Sequence, residues 1–185
     1  MSTSFSGFTP DSTERQVFTA NQNTGSTAAT STAQIWRKPK GLRFSSWFLI
    51  GAGAGGGAGA SGAAATNRGG GGGGGSGAIV RAIFLNDMLP DNLYVFVPGN
   101  AATASPGGLT CVSLFPNSIT ANNLLLISGA LEPTAGGTGT ASAGTAGAAG
   151  QIATRSNHAA MAIAWVASAG QAGALGGASG SVGVN

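Results

Sequence analysis

Short runs of large apolar residues alternate along this chain with long stretches that contain none. The clearest run covers residues 42–50. Successive side chains of an extended strand point to opposite sides, so Phe44, Phe48 and Ile50 share one face while Trp47 and Leu49 share the other. Large apolar side chains on both faces predict that both sides of this strand are buried.

Further runs with the length of strands lie at 78–85, 93–97, 109–115 and 123–128, with turn-forming residues between them. Strands of this length at short spacing predict an all-β fold, either a small sandwich or a barrel-like domain. Residues 159–169 are one more candidate. Their alanines suit a helix, but the alternation of Met161, Ile163 and Trp165 favours a strand, which we expect.

The longest stretch without a large apolar residue covers residues 51–77 and includes seven consecutive glycines at 69–75. Glycine tracts are commonly flexible linkers, but a structureless loop of 27 residues inside a compact domain is unusual. Counting every third residue from 53 to 77, seven of nine are glycine. This suits polyproline II helices, which have three residues per turn and pack closely where glycine faces a neighbour. Packed glycine helices and ordinary close-packed loops both fit the pattern.

Either packed form would remove backbone N–H and C=O groups from water, and each such group needs a hydrogen-bonding partner. Glycine also loses more conformational entropy on ordering than any other residue. We expect neighbouring copies of the chain to supply the compensating contacts. The sequence therefore predicts a homo-oligomer, with a trimer as the favoured form.

Composition argues against an enzyme. Gly, Ala, Ser and Thr together make up 104 of the 185 residues, and charged residues only 7%. With one Cys, one His and five acidic residues, we expect no catalytic residue, cofactor or metal site. The glycines after Ile50 match the spacing of a dinucleotide-binding loop, but a helix cannot start in such a tract. No apolar run has the length of a membrane-spanning helix, so we expect no membrane insertion.

The net charge is +3, and four of the eight basic residues lie close together, at Arg37, Lys38, Lys40 and Arg43. A nucleic-acid site would be expected to interleave such charges with aromatic platforms, which are missing here. We therefore interpret the cluster as a solvated lead-in to the strand that follows, and expect no nucleic-acid partner. We interpret Trp47 as a core residue rather than a sugar-binding one.

Residues 1–34 are polar and show no regular period, with isolated aromatic residues at Phe5, Phe8 and Phe18. We interpret them as an extended N-terminal arm, followed by a glycine-rich β domain over 35–185. Spaced apolar side chains on a polar arm would suit docking into a neighbouring subunit. The three phenylalanines are therefore the predicted attachment residues.

The order of these elements resembles the glycine-rich domain of tail-fibre and other virion proteins of tailed bacteriophages. The likeness covers about residues 36–150 and is carried by a Trp-Arg-Lys-Pro-Lys-Gly lead-in from Trp36, a strand ending in Ile-Gly-Ala-Gly at 50–53, the glycine tract, and the segments 77–81, 93–100, 107–112 and 125–129.

The resemblance implies a non-catalytic structural protein of the virion, assembled as a homotrimer. It would be a capsid decoration or head fibre, or a fibre component attached to the tail, with the arm binding other capsid or tail proteins. The alternative is a receptor-binding adhesin whose glycine tracts present Asn67 and Arg68 to a glycan or protein of the host surface.

Overall fold

The computed structural model describes residues 14–20, 32–61, 69–99, 101–116, 120, 122–129, 132–140, 145–151 and 161–177. Its strands are β1 (Gln34–Arg37), β2 (Phe44–Ile50), β3 (Ile79–Leu85), β4 (Asn92–Phe96), β5 (Cys111–Ser113), β6 (Leu124–Ile127) and β7 (Ala164–Ser168). A short 3-10 helix, Asn86–Met88, connects β3 to β4.

The strands form two antiparallel sheets. One has four strands in the order β1-β4-β5-β6, and the other has three in the order β2-β3-β7. The sheets do not close into a barrel, and their inner faces share one apolar core. The predicted all-β class is confirmed, with the sandwich as its form.

The core between the sheets is built from alternate residues of the strands. Trp36 of β1 and Trp47 of β2 join the two sheets, with ring centroids 5.0 Å apart. Phe84, Leu93 and Val112 are fully buried beside them. Trp47 is therefore a core residue, as predicted.

The expected burial of β2 on both sides is wrong for the single chain. Trp47 and Leu49 are buried, but Phe44, Phe48 and Ile50 are 51%, 53% and 54% exposed. The physical reason lies in the architecture: a two-layer sandwich covers only the inner face of each sheet, and no third layer lies over this one in the described part of the chain.

The other expected strands are present, with shorter bounds in places. The 109–115 run gives only the three residues of β5, and the 159–169 run gives a strand over its second half, β7. β1 was not expected, because its four residues show no clear apolar alternation in the sequence. It forms because it pairs along β4, with Trp36 pointing into the core.

The glycine-rich stretches form six extended segments that pack side by side. We call them segments I (51–61), II (69–78), III (101–108), IV (132–140), V (145–151) and VI (169–177), and together the glycine bundle. Their backbone hydrogen bonds mostly join different segments and recur at every third residue; the exception is a turn within segment III, where the Ser105 N–H donates to the carbonyl of Ala102 (3.1 Å). In the other five segments, three residues per turn with no bonds inside a segment is the pattern of polyproline II helices.

Segments I and II continue the β2–β3 pairing without a shift of register. The last strand pair is Ile50 with Ile79. The bonds that follow, from N–H to C=O, are Gly51 to Ala78 (2.9 Å), Ala54 to Gly75 (2.8 Å), Gly57 to Gly72 (2.8 Å) and Ala60 to Gly69 (2.9 Å).

The β3–β7 register continues in the same way. Ile79 pairs with Ser168, and the later bonds are Ser76 to Gln171 (2.8 Å), Gly73 to Ala174 (2.7 Å) and Gly70 to Gly177 (3.0 Å). The order β2-β3-β7 thus becomes the order I-II-VI, and only the period changes, from two residues to three.

Segment II lies at the centre of the bundle, which explains its run of glycines. A Cβ on Gly71 would overlap the carbonyl of Gly57 in segment I, and one on Gly72 would overlap the carbonyl of Thr145 in segment V. On Gly73 it would lie 3.0 Å from the N–H nitrogen of Ala174 in segment VI. Successive residues therefore face three different neighbours; a side chain is excluded at Gly71 and Gly72 and would be tightly packed at Gly73.

The bundle obtains its hydrogen bonds within one chain. Besides its bonds to segments I and VI, segment II donates to segment IV through Gly69, Gly72 and Gly75, and accepts from Gly147 and Gly150 of segment V. Contacts within one chain therefore supply many of the hydrogen bonds that we expected from neighbouring copies. The homo-oligomer itself stays a prediction.

Candidate functional site

Several exposed apolar side chains lie together on the outward side of the three-stranded sheet, which we call the outer face. It is formed by Phe44, Ser46, Phe48, Ile50, Ile79, Arg81, Ile83, Leu85, Ala164, Val166 and Ser168. Val166 is 64% exposed and Ile83 38%, beside the three half-exposed side chains of β2. Exposed contiguous apolar patches of several hundred square ångströms mark interaction sites.

The strand register explains how the outer face is arranged. Phe48, Arg81 and Val166 lie in one row across β2, β3 and β7. The Arg81 guanidinium lies over the Phe48 ring, 4.9 Å from its centroid, a cation–π contact. Arg43, next to β2, places its guanidinium 5.3 Å from the Phe44 ring centroid, so two cations and no described carboxylate lie at this face. The face can bind an apolar partner without burying an unpaired carboxylate.

The basic cluster lies at the end of the sandwich opposite the glycine bundle. An open groove with a volume of about 680 Å³ lies there, lined by residues 37–43 together with Asn86, Asp87, Asp91 and Asn92. Lys38 holds the two loops together: its ammonium donates to the carbonyl of Leu89 (2.7 Å) and lies 3.2 Å from Asp91 Oδ1. One of the four cations therefore has a structural role.

Asn86 fixes the same loops from the buried side. Its amide Nδ2 donates to the carbonyl of Leu42 (2.7 Å), and its backbone N–H donates to the backbone carbonyl of Arg43 (2.9 Å). Its Oδ1 accepts a hydrogen bond from the Ser45 hydroxyl. The arrangement agrees with the interpretation of the basic cluster as a solvated lead-in. Asp87 and Asp91 also line the groove, and their negative charges would repel a polyanion such as a nucleic acid.

The predicted arm residues are placed only in part. Phe18 is half-buried and packs against the sandwich core of its own chain. Gln16 donates to the carbonyl of Arg37 (2.8 Å), so residues 14–20 follow β1. Phe18 would have to leave this contact to anchor the arm elsewhere. Phe5 and Phe8 lie outside the described residues, as do Asn67 and Arg68.

Cys111 is buried, and burial raises the pKa of its thiol from 9.0 to about 12, with the Glu132 charge adding to the effect. A thiol in such a place is a packing group rather than a nucleophile. Within the described residues, no three His, Cys, Asp or Glu side chains come together as a metal site. In the same part of the chain, no helix is long and apolar enough to cross a membrane.

No protein-family model, no curated protein and no solved structure matches this chain. Function must therefore be argued from the residues and their arrangement.

The sequence pointed to the outer face only indirectly. Alternation places Phe44, Phe48 and Ile50 on one side of β2, but it cannot say whether that side is covered by the same chain. The signal that could have identified an exposed face is the neighbouring strand, because Arg81 alternates onto the same side of β3.

Proposed function

We propose that this protein is a non-catalytic structural component of a tailed-phage virion, attached to the capsid or the tail and working as a homo-oligomer. The resemblance of its order of elements to phage glycine-rich domains gives the class. The glycine bundle, continuing the sandwich in register, is the observation that carries the proposal.

The bundle suits a structural role because its stability does not depend on a large apolar core. Its backbone groups are bonded between segments, and its described residues carry a single charged side chain, Glu132. A body of this kind is rigid, nearly uncharged and thin, since glycine lets the backbones approach closely. These are properties of a particle component rather than of a substrate pocket.

The polar side chains of the groove and the buried Cys111 support the same interpretation. Lys38 and Asn86 tie loops together, and Cys111 is packed in the interior. Each has a structural partner that explains its presence. We propose no catalytic residue.

The test is the presence of the protein in particles of the phage that encodes it. We expect mass spectrometry of gradient-purified particles to detect the chain, and antibody labelling to place it on the capsid or the tail. Detection in infected-cell lysate but not in purified particles would overturn the proposal.

The arm can be tested in the same particles. Replacing Phe5 and Phe8 with serine should reduce incorporation while leaving the melting temperature unchanged. Phe18→Ser is the matched comparison: it should lower the melting temperature, because Phe18 packs against its own core. Normal incorporation of the Phe5/Phe8 variant would show that these two side chains do not attach the protein to the particle.

The adhesin alternative is favoured by one observation. Segments I, II, IV and VI meet at the end of the bundle remote from the sandwich, where Gly69 bonds to Ala60 and Thr140, and Gly70 to Gly177. Segment I ends at residue 61 and segment II begins at residue 69 at this end, and Asn67 and Arg68 lie outside the described residues. An adhesin would be recognised by purified protein that blocks adsorption of the phage to cells.

A further inference from the structure

We propose that the outer face of the β2-β3-β7 sheet is the surface through which the protein binds a second copy of itself. The inference rests on the proposed oligomeric virion protein and names the contact surface. The sequence analysis expected the glycine tracts to make the contacts between copies, but many of their hydrogen bonds are made within the chain. The outer face is the surface that we propose instead.

The first argument is that scarce large apolar residues are concentrated on one exposed face. Leu, Ile, Val and Phe number only 36 of the 185 residues, yet Phe44, Phe48 and Ile50 lie on one exposed side of a single strand. β3 and β7 add Ile83 and Val166 to the same side. A strand whose solvent side faced only water would be expected to alternate apolar and polar residues.

The second argument is area. The five most exposed apolar side chains of the outer face leave on the order of 500 Å² open to solvent, given the size of aromatic and branched aliphatic groups. Two such faces in contact would bury about 1,000 Å² in total, which is the size of a weak, reversible interface and lies below the range of about 1,200–2,000 Å² for stable ones. A flat sheet face also suits a second flat sheet, since packed sheets lie about 10 Å apart.

The third argument is charge. Arg81 is stacked on its own Phe48, and the Arg43 guanidinium lies 5.3 Å from the Phe44 ring centroid. A strongly acidic partner would pair with these two cations but would lay its remaining charges over the apolar side chains of the face. A second copy offers matching apolar side chains, and the two copies must be offset so that their guanidinium groups stay apart and in contact with water.

The N-terminal arm is the competing occupant, and its position favours the second copy. Residues 14–20 run along β1, the edge of the other sheet, with Gln16 beside Arg37. The arm therefore enters the described structure away from the outer face.

The experiment compares two double variants of the full chain by sedimentation equilibrium between 1 and 100 μM. Phe44→Thr with Phe48→Thr removes the apolar face but keeps strand propensity. The matched control is Ile35→Thr with Phe115→Thr, whose original side chains are 51% and 53% exposed but lie off this face. Circular dichroism and a thermal melt verify folding of each variant.

We expect the wild-type chain to self-associate, the Phe44/Phe48 variant to raise the dissociation constant at least about tenfold, and the control to match wild type. A monomeric wild type, or equal effects of both variants, would overturn the proposal. So would a chain lacking residues 2–13 that associates more strongly, because the arm would then be the occupant. Particle incorporation is measured separately, so the virion role can stand if the interface fails.

Discussion

The sandwich and the glycine bundle show how one strand topology can be built from two kinds of secondary structure. β2, β3 and β7 pass into segments I, II and VI with the same neighbours and the same register. In the sandwich, side chains alternate every two residues and fill a core. In the bundle, backbone bonds recur every three residues and side chains are nearly excluded.

The comparison shows that the two regions are stabilised in opposite ways. Large side chains fill the sandwich core, whereas the absence of side chains lets the backbones of the bundle pack closely. Phe84 in the sandwich is fully buried and fills space between the sheets. Gly72 in the bundle leaves space for the carbonyl of Thr145. Removing atoms should damage the first region, and adding atoms should damage the second.

The largest expected effect is the loss of side-chain volume in the sandwich. Phe84→Ala should lower the free energy of unfolding by about 4 kcal/mol, through lost burial and the cavity left behind. The measurement is urea denaturation followed by tryptophan fluorescence. Phe115→Ala is the control, since Phe115 is 53% exposed, and it should change stability by less than about 1 kcal/mol. Equal losses would mean that Phe84 does not fill the core.

The bundle should respond to added volume. Gly72→Ala should lower the free energy of unfolding by about 3 kcal/mol, because the new Cβ would displace the Thr145 carbonyl and overpacking strains both segments. Gly53→Ala is the matched control, because its Cβ would lie 3.6 Å from the nearest atom, the Gly75 carbonyl oxygen. It should be neutral or stabilising by about 0.5 kcal/mol through the unfolded chain. Similar results for the two glycines would contradict the packing of segment II.

Much of the sandwich could be predicted from sequence, because apolar alternation is a local signal. It located β2, β3, β4, β5 and β6, with β5 shorter than expected, and favoured a strand where β7 lies. β1 escaped because four residues carry too little pattern, and its strand character comes from pairing with β4.

The bundle could be predicted only in part. A three-residue glycine period suggested polyproline II packing, but not which segments are neighbours. In segment I the period selected Gly53 and Gly59, which have room for a Cβ, and Gly56, where a Cβ would lie 3.3 Å from the Gly72 carbonyl oxygen. It missed Gly55 and Gly57, where a Cβ would overlap a carbonyl. The partners are set by the strand register at Ile50 and Ile79, which the sequence does not reveal.

The candidate surface illustrates the same limit. The face shared by Phe44, Phe48 and Ile50 followed from alternation, but its exposure depends on the number of layers in the fold. The loop ties of Lys38 and Asn86 also depend on distant pairing, between residues 37–45 and 86–91. Long-range pairing is the information that local pattern lacks.

The smallest expected effect concerns the boundary between the two regions, where Cys111 begins β5. The neighbouring Thr110 hydroxyl donates to the carbonyl of Ile50 (2.6 Å), so sandwich and bundle are joined there. Burial at this boundary, with Glu132 of segment IV, raises the pKa of the Cys111 thiol from 9.0 to about 12. Between these values the unfolded chain loses the thiol proton while the folded chain keeps it, so stability falls as pH rises.

Wild type should therefore lose about 1 kcal/mol more than Cys111→Ala between pH 9 and pH 10, measured by urea denaturation at each pH. Comparing slopes removes the constant cost of the substitution and the titration of groups that both proteins share. The native thiol should also react with a disulfide reagent at pH 8 far more slowly than the unfolded one, because burial excludes both thiolate and reagent. Parallel slopes together with fast native labelling would show that water reaches Cys111. The boundary between the sandwich and the glycine bundle would then be accessible to solvent rather than tightly packed.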